Sequence, residues 1–206
     1  MSPFYTLYSE RLIDDVLYLR VRIFNKQTAI NIEKSLRHHA KISGVILDLR
    51  GNSGGILNAA LKTANFFTDN EIITYTVERD NSNIHYYTSE EGELYSGPLA
   101  VLIDGQTASA AEVLAAGLQE QSRAKLIGSQ SFGKGTIQKI TQISNGGKLS
   151  VTSAQFFTPS GKKIHNRGVT PDICLSLNEQ KQCTKEKRLD NDEDLNTAIK
   201  VLKNEL

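Results

Sequence analysis

Two short stretches carry side chains suited to chemistry, "GQTASAAE" (105–112) and "GSQSFGKGT" (128–136). The second sets Gly128, Gly133 and Lys134 at the spacing of a phosphate-binding loop, but Gly135 stands where that loop needs a serine or threonine hydroxyl. Such a loop also requires a helix directly after the lysine, whereas the residues that follow read as a strand. A nucleotide is therefore not expected. Two readings of Lys134 remain: an exposed residue in a glycine-flanked turn, or a buried, neutral amine able to accept a proton. Ser109, twenty-five residues upstream, also has two readings. Ser109-x-x-Glu112 has the form of a capping box at a helix start. The same position suits an attacking hydroxyl, with the backbone N–H of Ala110 facing the developing oxyanion. A serine nucleophile needs a base, and His38, His39, His85 and His165 have no evident Ser–His–Asp context. Lys134 can serve only if it is dry, because a solvated lysine stays protonated near neutrality.

The elements that must position these residues are legible from periodicity. "VLYLRVRIF" (16–24) alternates as a strand, "TAINIEKSLRHHA" (28–40) has helical spacing with Thr28 as its cap, and "GVILDLR" (44–50) is a short apolar strand covered on both faces. "GNSGG" (51–55) breaks that strand before helical "ILNAALKTANFF" (56–67). "EIITYTVER" (71–79) and "IHYYT" (84–88) read as a hairpin. A buried strand, "PLAVLID" (98–104), leads into the helix that Ser109 opens (109–121), and "AKLIG" (124–128) gives one more strand. Asn145-Gly146-Gly147 turns a second hairpin between "TIQKITQIS" and "KLSVTSAQFFT". Residues 158–172 form a turn-rich loop and 189–206 an amphipathic helix. Alternating strands and helices with hairpins between them argue for an α/β fold.

The bulk numbers narrow the classes of function. A chain of 206 residues suits one domain with at most a small appendage. A net charge of +1, with its cations scattered, gives no field to steer nucleic acid. Cys174 and Cys183 lie nine positions apart with no histidine at ligand spacing, so no metal is expected. They form one small-loop disulfide or remain two thiols; their spacing does not decide. The first fifteen residues lack the charged-then-apolar pattern of a signal peptide, and no apolar run reaches the ~20 residues of a membrane span. A leader trimmed from the chain would leave its address open.

Four motifs in order make the chain resemble the C-terminal processing peptidases, the tail-specific serine proteases of family S41 with a Ser/Lys dyad. They are "LDLRGNSGG" (47–55), "GQTASAAE" (105–112), "SFGKGTIQ" (131–138) and "FFTPSGKKIHNRGVTPDI" (156–173). The resemblance implies Ser109 as nucleophile, Lys134 as general base, and Gln138 as the group that orients the lysine amine. It implies the backbone N–H groups of Gly55 and Ala110 as the oxyanion hole, with Gly55 free of a Cβ that would block the tetrahedral centre. It implies a crotonase-like core of stacked β–β–α units, placed at 25–173 between an N-terminal strand region (1–24) and a C-terminal tail and helix (174–206). It also implies a protein or peptide substrate bound as an added strand, no cofactor, and a periplasmic or exported setting. An adaptor or a second copy of the chain stays open as a further partner. Three departures stand out: the chain leaves no room for a PDZ domain ahead of the core, Ala111 stands where many relatives have a second serine, and Glu120 is the nearest counterpart of a supporting acid. Two other functions compete with peptide hydrolysis: a non-catalytic module binding peptides or hydrophobic ligands, and a core that is latent without a partner.

Overall fold

The computed structural model describes residues 8–39, 41–189 and 192–205. Expectations for residues 1–7, and for positions 40, 190, 191 and 206 at helix ends, lie outside these ranges. The alternating run at 16–24 forms β2 (Val16–Val21), paired antiparallel with β1 (Tyr8–Ile13). Helix α1 (Thr28–His38) follows, and then β3 (Gly44–Asp48), buried along its whole length. Thr28 is not the cap: it lies in the first turn, where its hydroxyl accepts the Asn25 N–H at 3.0 Å.

Helix α2 (Leu57–Ala64) leads to the hairpin β4 (Ile72–Glu78) and β5 (Ile84–Thr88), then β6 (Leu99–Ile103), α3 (Ala110–Glu120) and β7 (Lys125–Gly128). The Asn145-Gly146-Gly147 turn joins β8 (Thr136–Gln142) to β9 (Lys148–Phe157) as expected. Strand β10 (Ile173–Cys174) is too short to leave a sequence signal, and α4 (Asp192–Leu202) closes the fold.

Two sheets result. One has the order β1-β2-β3-β6-β7-β10, parallel apart from β1; the other has the order β5-β4-β9-β8. The expected mixed α/β class is the one observed.

The period of two along the central strands sorts side chains to opposite faces. Leu17, Leu19, Val45, Leu47, Val101 and Leu126 enter one core with helices α1 to α3. Val16, Tyr18, Ile46, Ala100, Leu102 and Ile127 enter a second, smaller core closed by Ala198 and Leu202 of α4. Helix α3 is buried from Ala110 through Leu118, which fits its alanine-rich, apolar circumference. Its core partners include Ile73 of β4 and Phe156 of β9, so it is sandwiched between the two sheets. Ser109 sits at the N-terminus of that helix.

Candidate active site

Ser109 is half-buried at the N-terminus of α3, with φ 56° and ψ −122°. An N-cap serine ordinarily takes extended backbone angles. A non-glycine residue in this sparsely populated region costs about 1–3 kcal/mol and persists only where its surroundings enforce it. The capping box expected of Ser109-x-x-Glu112 is present, with the Glu112 carboxylate accepting the Ser109 N–H at 2.9 Å, and capping by itself does not call for such strain.

The surroundings that enforce it come from three loops at the carboxyl ends of the parallel strands. After β3, the Asn52 carbonyl accepts the Ala108 N–H at 2.8 Å, and the Asn52 amide oxygen accepts the Gly54 N–H at 2.8 Å. Gly54 has φ +103°, and a Cβ there would stand 2.8 Å from both the Ala108 carbonyl oxygen and the Ser109 Cβ. Gly55, at φ +126°, also admits no side chain, for a different reason from the one expected. Its Cβ would fall 2.2 Å from the Phe24 carbonyl oxygen, so glycine is needed for the bridge to Phe24. The N–H groups of Gly55 and Ala110 donate to no other group among the described residues.

After β6, Asp104 organises the turn into α3. Its Oδ1 accepts N–H groups from Gly51 (2.9 Å), Gln106 (3.0 Å) and Thr107 (3.1 Å), and its Oδ2 accepts that of Arg188 (3.1 Å).

Glu112 joins the Ser109 turn to the lysine segment, a role that spacing read only as half of a capping box. Its side chain is fully buried. One oxygen accepts the Ser109 N–H at 2.9 Å and the Lys134 N–H at 2.8 Å; the other accepts the Ser131 hydroxyl at 2.5 Å and the Gly133 N–H at 2.6 Å. The backbones of Ser109 and Lys134 therefore meet on a single carboxylate oxygen. Burial pushes the Glu112 carboxyl above its ordinary range, against the pull of these four donors. Ser131 extends the network by accepting the Val169 N–H at 2.7 Å.

The side chain of Lys134 is exposed rather than buried, and among the described residues its amine makes no hydrogen bond to the Ser109 hydroxyl. Gln138, on β8, is also exposed. The fold thus brings the two segments together through their main chains and leaves the amine at an open surface. Glu120 is not part of this cluster: its carboxylate accepts from Ser160 and Thr158 near the far end of α3.

Beneath the loops lies a buried charge network that sequence reading did not pick out. Arg50 donates from Nη2 to Asp48 at 2.7 Å and from Nη1 to Asp194 of α4 at 3.2 Å, while the Tyr18 hydroxyl donates to Asp48. Burial would lower the Arg50 pKa, but the hydrogen bond and charge of Asp48 outweigh it and raise it. Burial, then Asp48, raise that of Tyr18. The visible signal was a pair of charges, Asp48 and Arg50, at the end of a wholly apolar strand.

Among the described residues no cluster of histidine, cysteine or carboxylate side chains could hold a metal, and no helix is long and apolar enough to cross a membrane. Cys174 and Cys183 form a disulfide, settling the alternative that their spacing left open.

A serine on a strained strand-to-helix turn, with the N–H groups of Gly55 and Ala110 unengaged among the described residues and a lysine loop tied beside it, sits at the carboxyl ends of the parallel strands of an α/β fold. The family model "Peptidase family S41" matches residues 15–175, and the chain belongs to that family. It is 36% identical over 172 residues to the carboxy-terminal-processing protease of Bartonella bacilliformis, covering 80% of this chain and 40% of the relative. It is 34% identical over 177 residues to the carboxy-terminal processing protease CtpA of Bacillus subtilis, covering 85% of this chain and 38% of the relative. Among solved structures, a photosystem II D1 C-terminal processing protease superimposes with a TM-score of 0.73 at 33% identity, covering 78% of this chain and 42% of that one. The chain thus spans about two fifths of the length of these relatives.

Proposed function

We propose that this chain is the catalytic part of a serine endopeptidase that cleaves extended protein substrates near their C-termini through an acyl-enzyme. The observation that carries the reading is the strained backbone of Ser109, held where the N–H groups of Gly55 and Ala110 have no internal acceptor. In the proposed reaction the Ser109 hydroxyl attacks the peptide carbonyl, and Lys134 takes its proton and passes it to the leaving amine. The two N–H groups hold the oxyanion, and water then releases the acyl group. Gln138 orients the amine.

The exposure of Lys134 fits a resting form. An arriving peptide covers the amine, removes its water and so favours the neutral state that a base requires. Strand β8 begins two residues after Lys134 and is an edge of its sheet, so an extended main chain can add there as a further strand. An exported, oxidising setting fits the Cys174–Cys183 disulfide.

Hydrolysis of an unfolded protein by the chain, measured beside Ser109→Ala, tests the proposal. Cleavage is expected to vanish in the variant; undiminished cleavage removes Ser109 as nucleophile. A scaffold that only binds peptides would cleave in neither form.

A further inference from the structure

A cleft of about 940 Å³ opens between the outer end of α3 and the 158–172 loop. Four cations line it (Lys162, Lys163, Arg167 and Lys185) against two carboxylates, Glu120 and Asp172. That excess is local, since the whole chain carries a net charge of only +1.

Both carboxylates are already engaged. Glu120 accepts the Ser160 N–H and hydroxyl, each at 2.7 Å, and the Thr158 hydroxyl at 2.9 Å, and it pairs with Lys162 at 3.2 Å. Asp172 accepts the Leu126 N–H at 2.8 Å. Among the described residues the other three cations meet no carboxylate. Lys163 stands 5.8 Å over the Phe157 ring, Lys185 donates to the Phe132 carbonyl at 2.8 Å, and Arg167 forms no ion pair.

The cleft adjoins the lysine segment. The Asn166 N–H donates to the Gly133 carbonyl at 2.9 Å, and the Gln130 amide donates to the Arg167 carbonyl at 2.6 Å. Helix α3 rises ~1.5 Å per residue, so its lining residues Ala116 to Glu120 lie roughly 10–16 Å along the helix from Ser109. Extended chain covers that distance in about three to five residues.

We propose that this cleft is an anion-binding subsite that takes carboxylates of the substrate peptide a few residues from the scissile bond. The proposal rests on the peptidase reading for its ligand. Such carboxylates belong either to Asp and Glu side chains or to the peptide's own C-terminus, and the test separates the two.

Peptides that differ only in a Glu-Glu-Glu or Gln-Gln-Gln segment, each as free acid and as C-terminal amide, are titrated by fluorescence anisotropy. The proteins are Ser109→Ala and the same chain with Lys163→Gln and Arg167→Gln added. With three partly screened cations, Ser109→Ala is expected to bind about tenfold more tightly the peptide that carries the recognised carboxylate, Glu over Gln or free acid over amide, at ~50 mM salt. The preference should shrink to within about twofold in the triple variant or at ~300 mM salt. Weaker binding of both peptides on amidation assigns the terminal carboxylate; a Glu-over-Gln preference that persists in the amides assigns side chains. Equal affinity of all four peptides on Ser109→Ala overturns the proposal, as does a carboxylate preference that survives the added substitutions. The peptidase reading is judged separately, by whether the chain with Ser109 intact cleaves the Gln peptide.

Discussion

Replacing Glu112 by glutamine keeps its shape and removes one acceptor and the charge. All four donors around Glu112 point at the carboxylate, two to each oxygen. Glutamine can keep its oxygen toward Ser109 and Lys134 and turn its NH₂ toward the Ser131 hydroxyl, which can accept. The Gly133 N–H is then buried without a partner, at about 1–3 kcal/mol. The two retained bonds fall from charge-assisted to neutral strength, at about 1 kcal/mol each, and relief from burying a charge offsets part of the sum. The net loss is about 3 kcal/mol. For a chain of 206 residues that lowers Tm by roughly 6–12 °C, readable by circular dichroism. Because the carboxylate also sets the separation of the Ser109 and Lys134 segments, kcat should fall while KM changes little. A Tm within about 2 °C of the parent, with kcat/KM within about twofold, would refute the view that Glu112 holds the two segments in place.

Lys134→Arg is expected to be as inactive as Lys134→Ala in peptide hydrolysis, because arginine cannot give up its proton; near-normal turnover would exclude lysine as base. Gly54→Ala forces a Cβ to within 2.8 Å of the Ala108 oxygen and the Ser109 Cβ, and should cost about 2 kcal/mol or more together with activity. Gly92→Ala, at a similar φ of +92° but in open space, is its control, and equal losses in the two would remove the clash as the cause. Arg50→Met leaves Asp48 buried without its cation, while Asp194 keeps Arg188 at 2.8 Å, and denaturant unfolding should show a loss of about 3 kcal/mol. Cys174→Ser with Cys183→Ser opens a small loop and should cost about 2–3 kcal/mol; an unchanged midpoint with and without reductant would argue against the bond.

Much of the architecture was legible because its signals are local. The run of apolar residues at 44–48 is buried on both faces, the Asn145-Gly146-Gly147 turn forms its hairpin, and the helix after Ser109 begins where the apolar spacing says it should. Strand β10 and the sandwiching of α3 were not legible, since each depends on neighbours distant in the chain.

The sequence by itself determined the strand and helix periods, the order of Ser109 and Lys134, and the glycines that only a crowded turn requires. Tertiary structure alone decided how they act together. It bent Ser109 into a strained turn, gave Glu112 donors from segments about twenty positions away, brought Asp194 onto Arg50 from the far end of the chain, and left the Lys134 amine exposed. The reason is physical: a period is written in neighbouring residues, whereas a buried donor takes whichever acceptor packing brings within reach, at any separation along the chain.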